Sequence, residues 1–440
     1  MERRSFLKSA AAAPWVAAAA TTTTWAAPKA APKKFNPTIE QARQAALDVL
    51  KPSPRDLEHG LELHAASLVF ESYGFSPSAT LDVDVLAKAI EGGASNQELE
   101  DLQEEMRMTR CVTDPAQRAE YQEGWEASGV TCIFQNAGEE NQAALRILRR
   151  LARFTFVTDM LRTFVAKAVT PDDVVTAKRQ GRHCLYFSSN AVPLQEQWVN
   201  AKNELELIRV YFQLGIRMMH LTYNRRNMIG DGCAETTNGG LSDFGRQVVA
   251  EMNRVGVIVD VAHSGWQTGL DAARCSTRPM VASHSACDGL YHHIRAKPDK
   301  LIKAIADTGG LIGICCVPSF LGGKGDLAAM MDQIAYAVKL VGADHVAIGT
   351  DVAYNCRKTS EPKTKMPKRG PSRPRWEYLW PSDAFKLAGN GLSMSWTNWP
   401  MFTVGMVQRG LRDEDIQKIL GGNVMRVARA ALKDTTGDVR

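Results

Sequence analysis

Residues 255–288 state one grammar twice. The apolar run Val257–Val261 leads to His263, a helix-like stretch Gly265–Ala273 follows, and the run Met280–Ala282 then leads to His284. A β-branched run, a polar residue, a helix and the same again is the pattern of parallel strands covered by helices, because parallel neighbours need a crossover long enough to hold one. Both histidines therefore stand just past the C-terminal end of a strand. In a closed β/α barrel that end is where catalytic groups gather, and neutral imidazole is the commonest metal ligand. Two histidines on adjacent strand ends point to metal-assisted hydrolysis, whereas a lone histidine reads more simply as a loop hydrogen-bonding group.

The unit recurs along the chain. Apolar runs at Leu68–Glu71, Gly129–Phe134, Cys184–Phe187, Ile216–Thr222, Val257–Val261, Met280–Ala282, Gly310–Val317 and His345–Gly349 make eight strands, which predicts an α/β fold of the (β/α)8 TIM-barrel type rather than an open sheet. Helical spacing predicts helices over Thr38–Leu50, Val83–Ile90, Asn96–Thr109, Glu139–Val165, Ala201–Leu214, Ser242–Val255, Leu301–Thr308 and Leu327–Val341, with Gly215 closing one and Ser242 capping another. The glycine-rich loop Asn224–Gly240 reads as pocket-forming. At the C-terminus, Asp413–Leu420 and Val424–Leu432 read as two helices around Gly421-Gly422-Asn423, packed on the barrel's outside.

The first residues read as an address rather than as fold. Arg3-Arg4-Ser5-Phe6-Leu7-Lys8 before the small, weakly apolar Ser9–Ala20 predicts a twin-arginine export signal over 1–27, cleaved near Ala26–Ala27. This implies a periplasmic or other extracytoplasmic location. The stretch is interrupted by Thr21–Thr24 and is shorter than the roughly 20 strongly apolar residues of a membrane span, so no stable span is expected once the signal is gone. A Pro/Lys/Ala linker over 28–37 then leads into a single barrel domain, 38–440, with a short N-terminal helical extension and C-terminal helices. The 440 residues carry a formal net charge of only +5, and the basic residues are scattered apart from Lys358–Arg375, which reads as a solvated loop. Nucleic acid is not an expected partner. Nine cysteines without a CxxC pair do not form a disulfide framework, and Cys315-Cys316 inside an apolar run read as buried strand residues.

Five blocks, LGIRMMHLTYN, GLSDFGRQVVAEMNRVGVIVDVAHSG, PMVASHSACDGLYHHIRAKPDKL, HVAIGTDVAY and ILGGNVMRV, resemble in order and spacing the membrane (renal) dipeptidase family of zinc metallopeptidases. The similarity runs from about Leu68 to Val427. It implies a metal-dependent-hydrolase barrel, often dimeric, in which two zinc ions share a bridging glutamate and a hydroxide that attacks the peptide carbonyl of a dipeptide. By the same resemblance His263 and His284 are metal ligands, Asp351 handles the proton of the leaving amine, and Arg295 grips the substrate. Tyr223 stands where the family has a substrate-binding histidine. The resemblance also places Tyr73, Phe75 and Ser188 where the family carries the first-zinc histidine, the first-zinc aspartate and the bridging glutamate. None of these three replaces a carboxylate or imidazole. The expectation is then a reduced, mononuclear site with one divalent metal, zinc first, on His263 and His284. Asp351 would be a third ligand or the general base, and Glu71 a remoter candidate ligand. Cys287, His292 and His293 read as ordinary loop residues. Two readings stand beside this hydrolase of a dipeptide or similar small amide: an inactive dipeptidase-like binding protein that keeps the cleft, and a metal-independent lyase or isomerase using the two histidines.

Overall fold

The computed structural model describes residues 33–138, 143–357 and 391–432. The twin-arginine stretch, the first half of the linker and the basic loop from Lys358 to Arg375 lie outside the described residues. Among the described residues, nine strands form one wholly parallel sheet: β1 (Phe70–Gly74), β2 (Cys132–Asn136), β3 (Val165–Ala168), β4 (His183–Ser189), β5 (Ile216–His220), β6 (Ile258–Asp260), β7 (Val281–Ser285), β8 (Leu311–Ile314) and β9 (Val346–Ile348). The order β1-β2-β4-β5-β6-β7-β8-β9, with helices between the strands, is the expected α/β barrel.

The additional strand is β3. The reading of Glu139–Val165 as one helix is corrected: the helix is Ala144–Met160, β3 follows, and a further helix, Pro171–Arg179, comes before β4. Only Val165 and Ala168 of the four β3 residues are buried, too short a pattern to stand out. The start of the next helix was nevertheless written in the chain. Thr170 and Asp173 form a reciprocal capping box, with Pro171 in the first turn. β3 lies along residues 183–186 of β4 and β5 along residues 187–189, while β2 pairs with residues 184–188, so the seven residues of β4 serve three partners.

Inward-facing positions fall into two layers. Phe70, Phe134, Tyr186, Met218, Ile258, Val281, Leu311 and Ala347 form one buried apolar cluster, with Phe70 stacked on Phe134 at 5.2 Å and Tyr186 edge-on to Phe134 at 4.9 Å. Val424, Val427, Ala428 and Ala431 of the helix Asn423–Leu432 belong to the same cluster. The C-terminal helix thus stoppers the N-terminal end of the barrel rather than lying on its outside. Gly421, just before it, sits so close to β1 that a Cβ would come within 2.5 Å of the Leu68 carbonyl oxygen.

Two residues further along each of these strands, side-chain alternation puts a second layer at the C-terminal end: Ser72, Asn136, Ser188, His220, Asp260, Ser283, Gly313 and Gly349. The barrel is narrow here. Ser72 Oγ donates across to the Ser283 carbonyl at 2.7 Å, and a Cβ on Gly349 would lie 2.1 Å from that same oxygen. β9 returns beside β1, where the Asp351 amide meets the Tyr73 carbonyl at 3.4 Å. Glu71 secures this seam from the opposite face of β1. Its carboxyl accepts from the Thr350 amide at 3.0 Å, from the Thr350 hydroxyl, and from Trp396 Nε1 at 2.8 Å.

Candidate metal centre

Irregular pairing delivers two of the site's aromatic side chains. The β1–β2 register shifts between Glu71 and Gly74, and the β7–β8 register shifts between Ala282 and Ser285. A bulge lets neighbouring residues share a face that strict alternation would deny them. Tyr73 and His284 accordingly stack inside the barrel with ring centroids 3.9 Å apart. His263, three residues past the end of β6, stacks on Tyr223 at 4.1 Å. The loop after β5 holds that segment in place: the Cys233 amide donates to the His263 carbonyl at 2.9 Å, and Gly232 pairs with Ser264.

His263, His284, His220, Asp260, Arg295, Lys297 and Tyr73 are all buried, while Tyr223 and Asp351 are partly exposed. His263 Nδ1 lies 2.7 Å from Asn224 Oδ1, which makes Nδ1 the protonated nitrogen and leaves the lone pair on Nε2. Arg295 Nη2 donates to that lone pair at 3.2 Å, and Nη1 donates to the Ala262 carbonyl. His284 Nε2 sits 3.0 Å from His263 Nε2, while its Nδ1 pairs with Ser283 Oγ at 2.9 Å. Burial, then the nearby Arg295 charge, pushes both imidazoles well below their usual pKa, so both are neutral bases. Burial raises Asp351 to about 6, although Arg295 and His220 pull the other way. Burial lowers Lys297, whose ammonium donates to the Ser264 carbonyl at 2.8 Å, to about 7.

Asp351 thus lies in the field of Arg295 and His220, on a left-handed backbone with φ 58°. Tyr73 donates its phenolic hydrogen to Asn190 Oδ1 at 2.6 Å, and Phe75 packs edge-on against the Tyr73 ring. Ser188 is fully buried on the inward layer. Glu71 points away from the cluster, towards Thr350 and Trp396. Cys287 is buried, its amide donating to Gln333, and His292 pairs on the surface with Asp288.

Two residues of the centre escaped the reading of the chain. His220 and Asp260 are the last residues of β5 and β6, and both are completely buried. His220 Nε2 lies 2.7 Å from Asp260 Oδ2, yet the groups are not aligned for a hydrogen bond, and both of these atoms and His220 Nδ1 are left unpartnered. Asp260 Oδ1, by contrast, accepts from the Ala262 amide at 2.9 Å and the Ser283 amide at 3.1 Å. Burial disfavours the Asp260 anion, but the facing His220 and these donors outweigh it and hold the carboxyl below its ordinary pKa. The signal for both residues was the two-residue alternation from Met218 and Ile258, which puts them on the inward face.

Among the described residues, His220, Asp260 and His284 form a group whose ligand atoms all lie within 4.8 Å of one another. Buried polar atoms without partners carry a desolvation penalty of roughly 1–3 kcal/mol each, and a cation is the group that satisfies a carboxylate oxygen and imidazole lone pairs together. The donor set fits one divalent ion of the kind bound by two histidines and one carboxylate. Tyr73 stacks on His284 beside this group, Ser188 is buried on the inward layer of β4, and Glu71 is turned away towards Trp396.

The family model for membrane dipeptidase, peptidase family M19, matches residues 96–359. The chain belongs to the membrane dipeptidase family. Dipeptidase tcpJ of Claviceps purpurea is 27% identical to it over 232 residues, 52% of this chain and 47% of that protein. The chain's match thus spans about half the length of such curated relatives. Among solved structures, an amidohydrolase from Pseudomonas aeruginosa superposes with a TM-score of 0.63 at 24% identity, covering 84% of this chain and 98% of that one. The probable dipeptidase PvdM from the same organism gives 0.61 at 20% identity, covering 87% and 100%. At these identities the structural likeness speaks for the barrel, and membership rests on the sequence match.

Proposed function

We propose that this family member is an exported metallohydrolase that cleaves the amide bond of a dipeptide or similar small substrate with a single divalent ion, zinc first. The observation that carries the reading is the convergence of His263, His284, Arg295 and Asp351 at the C-terminal mouth of the barrel, within a chain matched to the dipeptidase family over 96–359. A bound ion supplies Lewis acidity and a water of lowered pKa. His284 stands at the centre of the imidazole cluster that would hold it.

The chain's own groups divide the remaining work. Asp351, with a pKa raised to about 6, is mostly ionised at neutral pH and still basic enough to take a proton from water and return it to the leaving amine. Arg295 presents a guanidinium fork, positioned by Ala262 and His263, to a substrate carboxylate. Tyr223, partly exposed at the mouth, donates a hydrogen bond to the developing oxyanion. The complete burial of His220, Asp260 and His284 above an apolar layer keeps bulk water from the cluster.

The test is a panel of L,L- and L,D-dipeptides incubated with the purified mature chain before chelation, after chelation and after Zn²⁺ return. The expected result is hydrolysis that chelation abolishes and Zn²⁺ restores. A metal-loaded protein that hydrolyses none of the panel overturns the substrate assignment and favours the ligand-binding alternative. Export is proposed from Arg3-Arg4 and the alanine-rich stretch after them. Fractionation should find the chain outside the cytoplasm, and an Arg3→Lys, Arg4→Lys variant retained inside.

A further inference from the structure

We propose that the ion is held by His220 Nε2, Asp260 Oδ2 and His284 Nε2, and that His263 is not a ligand but the acceptor that aims Arg295 at the substrate. The inference rests on the metallohydrolase reading above and deepens it by moving the ligand set onto β5, β6 and β7.

Four observations carry it. One ligand atom from each of the three residues lies within 4.8 Å of the others in a completely buried setting. Two of the three, His220 Nε2 and Asp260 Oδ2, face each other at 2.7 Å and neither makes a hydrogen bond to any other group, so an ion can take both. The other carboxylate oxygen, Asp260 Oδ1, is fixed by two backbone amides, and His284 Nδ1 is fixed by Ser283 Oγ. Such outer bonds hold the ligand atoms pointed at one place, as metal centres require. His263 differs in kind. Its Nδ1 is bound to Asn224 and its Nε2 lone pair already accepts from the Arg295 cation, whereas His284 Nε2 is 3.0 Å from that same neutral nitrogen and gives up this contact when it takes the ion. An ion at that lone pair would displace a guanidinium hydrogen bond and set two cationic groups against each other.

The donor set, two borderline nitrogens and one hard oxygen, suits Zn²⁺, Co²⁺ or Fe²⁺ rather than Mg²⁺ or Ca²⁺, which prefer all-oxygen sites. The arrangement also gives the Tyr73 ring a purpose, since stacking on His284 at 3.9 Å holds that imidazole in one orientation.

The experiment uses the full mature chain stripped of metal and titrated with Co²⁺, read by its visible absorption, with Zn²⁺ followed by calorimetry and by the shift in melting temperature. Wild type is expected to take one equivalent. His220→Gln, Asp260→Asn and His284→Gln are expected to bind roughly 100-fold more weakly or worse and to melt at the same temperature with and without Zn²⁺. His263→Gln is expected to keep one equivalent while KM for a carboxylate-bearing substrate rises. X-ray absorption on Zn²⁺-loaded wild type needs no variant and is expected to count two imidazoles. Three imidazoles, or metal retained in His220→Gln and Asp260→Asn but lost in His263→Gln, overturns the ligand set and leaves the metallohydrolase reading intact. Metal bound on the proposed triad without hydrolysis of any dipeptide overturns that reading and leaves the ligand set standing. Hydrolysis by a chain that binds neither ion overturns both the triad and the metal.

Discussion

His64 offers a quantitative check on the packing between helices. It lies on the helix Pro54–Ala66 and is buried between two other elements, with Nε2 2.8 Å from the Ser128 carbonyl and Nδ1 2.9 Å from Thr403 Oγ1. A carbonyl only accepts, so the single proton of neutral His64 is on Nε2, and Nδ1 accepts from the threonine. Burial lowers its pKa from 6.5 to about 4, against a partial rescue by the Ser128 bond. A depressed folded-state pKa means that the unfolded chain binds the extra proton first. His64 therefore stabilises the fold fully above about pH 6.5 and loses that contribution as pH falls towards 4. At 1.36 kcal/mol per unit, the loss is about 2 kcal/mol by roughly pH 5 and about 3 kcal/mol by roughly pH 4. His64→Gln keeps a donor for Ser128 and cannot titrate, at a cost of about 1–2 kcal/mol for the lost threonine bond and poorer fit. Urea unfolding of both proteins across this range is expected to show wild type ahead at neutral pH, with the two stability curves crossing near pH 5. Curves that stay parallel from pH 7 to 4, or a folded-state His64 pKa near 6.5 by NMR, would refute the reasoning.

Three further outcomes follow from particular contacts. Thr350→Val is nearly isosteric but removes the hydroxyl that donates to Glu71 at the β1–β9 seam; it should lower unfolding free energy by about 1–3 kcal/mol, and a change within error would mean that the seam does not depend on this bond. Gly421→Ala places a Cβ 2.5 Å from the Leu68 carbonyl oxygen and 2.7 Å from the Phe70 amide nitrogen, both backbone atoms, and should destabilise by about 1–3 kcal/mol in the same assay. All nine cysteines are free thiols and seven are buried, so a thiol reagent should modify the native protein only at Cys233 and Cys275, and all nine after denaturation; rapid modification of Cys315 or Cys316 in the folded state would contradict the packing of β8.

Much of the barrel was legible because eight of the strands announced themselves as short apolar runs and most helices carried their own caps. Gly215, in a left-handed conformation at φ 113°, ends the helix Ala201–Gln213 as its position promised. β3 was not legible, because four residues with two buried positions carry no pattern distinguishable from the end of a helix. In the candidate centre, His263 and His284 were found because they follow apolar runs. His220 and Asp260 were passed over because they sit inside such runs, where a polar residue reads as an interruption. Their inward direction follows from alternation, but the distance between two strand ends does not.

By itself, then, the sequence determined the repeated β/α unit, the edge at which histidines collect and membership in the dipeptidase family, all of which depend on local order along the chain. Only the tertiary structure decided which groups face one another. The bulges in β1 and β7 turn Tyr73 and His284 into the same narrow space, while alternation sends Glu71 to the opposite face of β1, where Trp396, 325 residues away in the chain, receives it. The register of β5 against β6 sets His220 beside Asp260. That pairing sets two buried ligand atoms 2.7 Å apart with no hydrogen bond to any other group, a property of assembled strands that no single segment contains.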